Sequence, residues 1–247
     1  MYFNPDEALI PGKPKPRILA VLHQETSSCG RLGTMLEAMG YDIDIVRPPL
    51  GQALPQTLEE HAGAIIFGGP MSANDNEEYV KREIDWIATP LRENKPFFGI
   101  CLGAQMLSKQ LGGSVSANER EFAEIGYYPL EATDVGKAMM DWPDMVYQWH
   151  REGFTLPSGA ELLAVGHEYE NQAIKVGDKA FGVQFHAELT FAMVYRWTVK
   201  AEHRFSLHGA QVRRDHIAGR LQYDWAIRAW LQNFLNDWVG PAENHVR

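Results

Sequence analysis

Cys101 has the sequence surroundings of a nucleophile. It follows the apolar run 96–100 and comes directly before residues of helical spacing, with Gly99 and Gly103 two positions away on each side. A strand that turns sharply into a helix holds its nucleophile on a strained backbone, and small neighbours let the chain cross itself there. The N-terminus of the helix also favours the thiolate over the thiol. This pattern therefore predicts a reactive cysteine, although a buried cysteine that only packs is the commoner use of the residue.

A second motif offers a base and an acid for that cysteine. His186 and Glu188 follow the strand-like segment 181–185, and an extended chain would direct both side chains to the same side. A cysteine nucleophile needs a base that takes its proton and returns it to the leaving group, and a third group must orient that base. Taken alone, the pair also fits a surface histidine beside a solvated acid. Combined with Cys101, it predicts a Cys-His-Glu triad.

A third motif, Gly68-Gly69-Pro70, follows the apolar residues 63–67. Attack on an amide carbon creates an oxyanion, which needs N–H donors fixed in advance, each worth roughly 2.7–4 kcal/mol. Glycine lets the backbone approach a ligand closely, and the N–H of Leu102, directly after the cysteine, is the natural second donor. An ordinary turn after a strand is the alternative interpretation.

These motifs must be positioned by buried strands, and the sequence supplies them. Apolar runs alternate with helical patterns, which predicts an α/β fold with a parallel sheet and helices on both of its faces. The predicted strands are 17–23, 42–46, 63–67 and 96–100, and the predicted helices are 30–40 and 76–94, the second with Tyr79, Ile84, Ile87 and Leu91 facing inward.

Beyond residue 113 the pattern changes to short β-like segments and then to helix. The segments 124–130, 145–149, 162–165, 172–176 and 180–185 predict small antiparallel additions and a return to the main sheet. Residues 189–239 are predicted to be mostly helical, with a break near 206–209. Four aromatic residues of the last helix predict a packing face, with a subunit interface as the alternative; they are Trp225, Trp230, Phe234 and Trp238.

The composition argues against several classes of protein. A formal charge of −9 over 247 residues, without a basic cluster in the sequence, argues against nucleic-acid binding. No apolar run reaches the roughly 18–20 residues that span a bilayer, and the N-terminus has no signal-peptide pattern, so we expect a cytoplasmic protein. Cys29 and Cys101 make no disulfide framework. Phosphate-loop, dinucleotide-binding and zinc motifs are absent from the sequence, so we expect neither a cofactor nor a metal.

The three motifs together resemble the class I, triad-type glutamine amidotransferases. That family carries a Gly-Gly-Pro loop, a G-x-C-x-G-x-Q elbow and a closing H-x-E, which stand here in the same order at 68–70, 99–105 and 186–188. The resemblance covers about residues 17–190 and implies a flavodoxin-like core for that domain. Residues 1–16 are then an irregular lead-in, and residues 191–247 are a helical extension packed on the domain or on an interface.

The resemblance also implies a role for each site residue, in a reaction that hydrolyses the side-chain amide of glutamine through a γ-glutamyl thioester. Cys101 is the nucleophile, His186 the base and then the acid, and Glu188 the orienting acid. Gly69 and Leu102 donate to the oxyanion. The other residues that hold the substrate or line its pocket are Gly68, Gln105, Trp149 and His150.

Two positions depart from the family pattern. Ala187 stands where the family usually has proline, and we expect this to shift the turn only slightly. Arg151 follows His150 where glycine is typical. The arginine changes a wall of the pocket, so the sequence leaves open a substrate larger than free glutamine.

The resemblance implies a small-molecule substrate and one of two arrangements. Either a separate synthetase subunit uses the ammonia, or the chain is a freestanding glutaminase similar to the amidotransferase domain of GMP synthase. A γ-glutamyl peptidase or conjugate hydrolase with the same triad is the alternative enzyme, and a catalytically idle scaffold is the alternative of a different class. The sequence leaves open the acceptor of the ammonia and any assembly into a homo-oligomer.

Overall fold

The protein is described here by a computed structural model that covers residues 14–245, so most of the predicted lead-in, residues 1–16, lies outside the described residues. The strands are β1 (Arg17–Val21), β2 (Asp42–Val46), β3 (His61–Ile66), β4 (Phe97–Ile100), β5 (Val115–Ala117), β6 (Glu124–Pro129), β7 (Glu131–Ala132), β8 (Met145–His150), β9 (Glu152–Phe154), β10 (Ala160–Val165), β11 (Asn171–Val176) and β12 (Ala180–Val183). The helices are α1 (Gly30–Ala38), α2 (Glu78–Trp86), α3 (Ala88–Arg92), α4 (Leu102–Gln110), α5 (Asp134–Met139), α6 (Phe191–Lys200) and α7 (Arg213–Trp238). Short 3₁₀ turns cover Pro48–Leu50, Glu202–Ser206 and Ala242–His245.

The central sheet is mostly parallel. Its strand order is β2-β1-β3-β4-β12-β11-β10-β7, parallel from β2 to β12 and antiparallel from β12 to β7. Two antiparallel pairs, β5-β9 and β6-β8, lie outside this sheet. The predicted fold class, a mostly parallel sheet with helices on both faces, antiparallel additions and a C-terminal helical part, is confirmed.

Strand β1 shows why the sheet needs a cover on both faces. Ile18, Ala20 and Leu22 pack into a core cluster that includes residues of α1 and α7. Leu19 and Val21 point the other way, into a second cluster that includes residues of α2 and α4. Alternate side chains of a strand reach opposite faces, so an unbroken apolar run can be satisfied only between two layers of helices.

The C-terminal helix α7 contributes to the first of these clusters. Trp230, Phe234 and Trp238 lie on one stripe of the helix and are buried, with Phe234 packed 4.5 Å from Phe98, measured between ring centroids. Trp225 lies on a different side of the helix, and 74% of it is exposed. The predicted packing face is therefore confirmed for the three later aromatic residues and wrong for Trp225.

The helix predicted over 76–94 is in fact two helices, α2 and α3. Pro90 has no N–H to donate to the carbonyl of Trp86, where α2 ends, so one continuous helix cannot pass this point with all of its hydrogen bonds. The four residues predicted to face inward do so: Ile87 is fully buried, and Tyr79, Ile84 and Leu91 are partly buried and pack against the second core cluster. The prediction did not include the buried residues of α2, which are Val80, Glu83 and Trp86.

The carboxyl ends of β1, β3, β4 and β12 meet at one edge of the sheet because these strands are parallel neighbours. Ligands of open α/β sheets bind at this edge. The segments directly after β3, β4 and β12 carry every predicted catalytic and oxyanion residue. Among the described residues, no helix is long and apolar enough to cross a bilayer.

Candidate active site

Cys101 lies at a strained turn between β4 and α4. Its backbone angles are φ 52° and ψ −104°, a region that residues other than glycine rarely adopt. A Cβ on Gly99 would lie 2.5 Å from the backbone of Gly103, and a Cβ on Gly103 would collide with the carbonyl oxygen of Ile66. The structure therefore confirms the elbow that the spacing of the two glycines predicts, and a strained residue of this kind stores about 1–3 kcal/mol.

His186 and Glu188 are brought together beside this elbow. Nδ1 of His186 lies 2.7 Å from Oε1 of Glu188, and both side chains are 4% exposed. β12 ends at Val183, so the pair stands on an irregular segment and not on the extended strand that the sequence suggested. The contact is as predicted, but the segment is held by other bonds, such as that from the His186 N–H to the carbonyl of Tyr147 at 2.8 Å.

The partners of His186 control its protonation. Burial alone would lower the pKa of the imidazole, but the carboxylate of Glu188 and the sulfur of Cys101, by charge and by hydrogen bonding, raise that pKa from 6.5 to about 10. Both contacts therefore favour the protonated form of the ring. A protonated imidazole beside the sulfur is the form that can later give a proton to a leaving amine.

Two buried glutamines connect the sulfur to the wall of the cavity. Nε2 of Gln184 lies 3.6 Å from Sγ of Cys101, and Gln105 donates to Oε1 of Gln184 at 3.2 Å and to the carbonyl of Glu152 at 2.8 Å. Gln105 thus ties the elbow helix to the pocket wall. Sequence reasoning missed Gln184, although it stands two residues before His186 in the same motif.

The Gly68-Gly69 loop closes over the triad. A Cβ on Gly68 would lie 2.7 Å from Cε1 of His186 and 3.4 Å from Cβ of Cys101, so only glycine fits there without displacing the histidine. Gly69 and Leu102 line the same cavity as Cys101. Leu102 is the first residue of α4, and the N–H groups of a first helical turn have no acceptor within their own helix. Both predicted oxyanion donors therefore belong to backbone that lines the cavity.

A buried pair beneath this loop was not predicted. Nδ1 of His23 lies 3.2 Å from the carbonyl oxygen of Gly68, and Nε2 lies 2.8 Å from Oε2 of Glu83. Both side chains are fully buried. His23 ends the predicted strand 17–23, so the rule that ligands bind at the carboxyl edge of the sheet could have marked it. Nothing in the sequence connects Glu83 to it.

Trp149 and His150 line the cavity. Nε2 of His150 lies 2.9 Å from a carboxylate oxygen of Glu124, and Nδ1 lies 3.0 Å from the carbonyl oxygen of Glu152. Both nitrogens of the ring thus face groups of the protein, which favours a packing role for His150. Trp149 packs edge to face with Trp197, with ring centroids 5.6 Å apart.

Helix α6 and the turn after it form a further part of the cavity wall, which sequence reasoning missed. The cavity has a volume of about 320 Å³. Trp197 packs edge to face against the imidazole of His186, with centroids 5.1 Å apart. The other lining residues from this segment are Met193, Arg196, Lys200, Ala201 and Arg204. The helical part of the chain is thus in direct contact with the triad.

The loop after Glu188 is clamped by arginines. The carbonyl oxygen of Leu189 accepts hydrogen bonds from Arg31 at 2.8 Å and from Arg220 at 3.0 Å. Asp224 of α7 pairs with both arginines, and the carbonyl of Glu188 accepts from the N–H of Arg31 at 2.8 Å. Helices α1 and α7 therefore set the position of the triad carboxylate.

The second cysteine provides a contrast with Cys101. Cys29 comes directly before α1, and burial raises the pKa of its thiol to about 12, opposed by the nearby Arg47. It therefore stays protonated and unreactive at neutral pH. Within residues 14–245, no cluster of histidine, cysteine and acidic side chains is arranged to hold a metal.

Comparison with known proteins identifies the class of this one. Residues 26–193 match the model of the class-I glutamine amidotransferases, so the chain belongs to that family. Its structure superimposes on the crystal structure of a glutamine amidotransferase from Thermotoga maritima with a TM-score of 0.82 and 31% identity, covering 92% of this chain and 99% of that one.

Two relatives show how the chain compares within the family. The glutamine amidotransferase-like protein YfeJ of Salmonella typhimurium is 28% identical over 232 residues, which is 90% of this chain and 93% of YfeJ. A glutamine-hydrolysing GMP synthase subunit of Sulfurisphaera tokodaii is 30% identical over 158 residues, which is 62% of this chain and 80% of that relative. The matches to longer GMP synthases cover about a quarter to a third of those enzymes.

Proposed function

We propose that this chain hydrolyses the side-chain amide of glutamine through a γ-glutamyl thioester on Cys101, yielding glutamate and ammonia. The observation that carries the proposal is the His186–Glu188 pair, bonded at 2.7 Å beside a cysteine held at φ 52° over a helix N-terminus. This arrangement supplies a nucleophile, a proton carrier and a group that orients the carrier.

The reaction proceeds in two halves. The thiolate of Cys101 attacks the amide carbon, and the protonated ring of His186 gives its proton to the nitrogen as the carbon–nitrogen bond breaks. The neutral ring then takes a proton from water, whose oxygen attacks the thioester carbon and displaces the sulfur. Glu188 stabilises the imidazolium in each half. The N–H groups of Gly69 and Leu102 stabilise the oxyanion, each by about 2.7–4 kcal/mol.

The fate of the ammonia is part of the proposal. The relative from Sulfurisphaera tokodaii is named as one subunit of GMP synthase, which supports use of the ammonia by a separate synthetase chain. YfeJ matches this chain over nearly its whole length, which is equally compatible with a freestanding hydrolase. Measuring glutamine turnover by the purified chain with and without cell extract separates the two arrangements. The extract should raise turnover if the chain depends on a synthetase subunit and should leave it unchanged if the chain is a freestanding hydrolase.

A γ-glutamyl peptidase or conjugate hydrolase is the second candidate. The cavity extends past the triad to Arg151 and to the wall formed by α6. A volume of about 320 Å³ lies within the range of about 300–1,000 Å³ that takes drug-sized ligands, and free glutamine is smaller than these. The same triad would release an amine in place of ammonia.

A Cys101→Ala variant tests the proposal for either substrate. We expect glutamate release from glutamine and from γ-glutamyl dipeptides to fall to the background rate, with the melting temperature nearly unchanged. Cys29→Ala is the matched control and should keep the wild-type rate. Hydrolysis by Cys101→Ala at the wild-type rate would rule out the thioester mechanism.

A further inference from the structure

Four cationic side chains line one side of the active-site cavity. Arg151 follows β8, and Arg196, Lys200 and Arg204 come from α6 and the turn after it. The chain as a whole carries a formal charge of −9, so this concentration of positive charge is unlike its overall composition. We call these four residues the cationic wall.

The cationic wall is not neutralised by the protein around it. Within residues 14–245, no carboxylate lies within an ion-pair distance of 4.0 Å of any of the four, whereas Arg31 and Arg220 in the same part of the fold are both paired. Of the two acids that line the cavity, Glu188 is bonded to His186, and Glu152 contributes a single charge.

Two of these cations also repel one another. Partial burial, and after it the charge of Arg151, lower the pKa of the Arg204 guanidinium. Neighbouring like charges are unfavourable in the empty site, and a bound anion would relieve that cost. The wall is therefore suited to hold a negatively charged group.

The position of the wall indicates which part of a substrate it meets. His186 must give its proton to the leaving nitrogen, so the side of the cavity next to this ring is the side of the leaving group. Trp197 packs against that ring, with ring centroids 5.1 Å apart. Three cations of the wall stand on the same segment: Arg196 directly before Trp197, and Lys200 and Arg204 three and seven residues after it. The segment that carries these three side chains thus borders the leaving-group side of the cavity.

We propose that the cationic wall binds a carboxylate on the leaving amine, so that the preferred substrate is a γ-glutamyl amide of an amino acid or a short peptide. This inference rests on the proposed thioester mechanism and names the substrate class of its second candidate. The family match ends at residue 193, so the three cations of the wall that follow it lie outside the part of the chain that defines the shared chemistry.

Two nearly isosteric substrates test the proposal. γ-Glutamylglycine carries the carboxylate, and γ-glutamylglycinamide replaces it with a neutral amide, while both keep the same α-carboxylate. We expect kcat/KM of the wild-type protein to be about tenfold or more higher for the acid, the effect of one charge-assisted contact of ordinary strength. The preference should shrink as salt is added, because salt screens charges that water reaches.

The double variant Arg196→Gln, Arg204→Gln should reduce that preference to about twofold, and Arg214→Gln should keep it. Arg214 is the matched control because its side chain is 86% exposed and lies outside the cavity. The ratio of the two kcat/KM values does not depend on how much of a variant folds. Equal rates for the two substrates in the wild type, or an equal loss for both in the variant, would overturn the proposal. Failure to hydrolyse any γ-glutamyl compound, glutamine included, would instead refute the thioester mechanism.

Discussion

Replacing Gly68 with alanine tests how closely the loop fits over the triad. The added Cβ would lie 2.7 Å from Cε1 of His186, whereas carbon atoms pack at about 3.5 Å or more, so the ring or the loop must move by roughly 0.8 Å. A misplacement of about 1 Å at a reacting group can cost about 10²-fold in rate. We therefore expect kcat/KM for glutamate release to fall by about 10²-fold.

The same substitution should cost about 1–3 kcal/mol of unfolding free energy, the usual cost of crowding a carbon atom into a packed site. Gly68 lies in a partly exposed loop, and its φ is not positive, so alanine adds no backbone strain there. Gly159→Ala is the reverse case: a Cβ at Gly159 would contact nothing within 4 Å, but the φ of this residue is +81°, so alanine adds backbone strain. That variant should lose about 1–2 kcal/mol of unfolding free energy and keep its activity. Urea unfolding and steady-state kinetics on both proteins give the comparison, and a Gly68→Ala enzyme with wild-type kcat/KM would refute the reasoning.

Four further predictions follow from the geometry. Glu188→Gln should lower kcat by about 10²–10⁴-fold, because the amide cannot stabilise the imidazolium. Folding raises the pKa of His186 to about 10, so the stability that this group contributes is complete below about pH 6.5 and is lost as the pH rises through about 10. Urea unfolding across that pH range should show this loss of stability in the wild type and a smaller loss in Glu188→Gln. Glu83→Ala should cost about 1–3 kcal/mol of unfolding free energy by leaving a buried imidazole without its partner, and it should lower kcat, whereas Glu83→Gln should recover much of both. Trp230→Ala should lower the free energy of unfolding by about 3–5 kcal/mol, whereas Trp225→Ala should change it by no more than about 0.5 kcal/mol. Thermal unfolding measures both, and equal losses would contradict the packing of α7.

Local patterns in the sequence account for the sheet and for the residues closest to the chemistry. The apolar run at β1 and the glycines around Cys101 each have one physical solution, a strand buried on both faces and a tight elbow, and the structure contains both. The contact between the side chains of His186 and Glu188 was also predictable. The backbone that produces this contact was not, because the segment leaves β12 at Val183 and is fixed by hydrogen bonds to distant residues.

The parts that could not be predicted depend on contacts between residues far apart in the chain. Glu83 lies on a helix with the charge pattern of a surface, yet it is fully buried because His23 meets it there from the end of β1. Trp197 belongs to a helix beyond the family motifs, and only the path of the chain brings it against His186. The periodicity of a sequence shows which face of a helix or strand is apolar, but not which residues that face will contact.

The central claim is that Cys101 is the sulfur that the triad activates. A chloroketone analogue of glutamine, which alkylates a thiolate that binds it, measures this directly when the modified residue is mapped by mass spectrometry. We expect modification of Cys101 and not of Cys29, protection by a γ-glutamyl substrate, and a much slower reaction in Glu188→Gln. Modification of Cys29 in place of Cys101, or a rate unaffected by Glu188→Gln, would contradict the account.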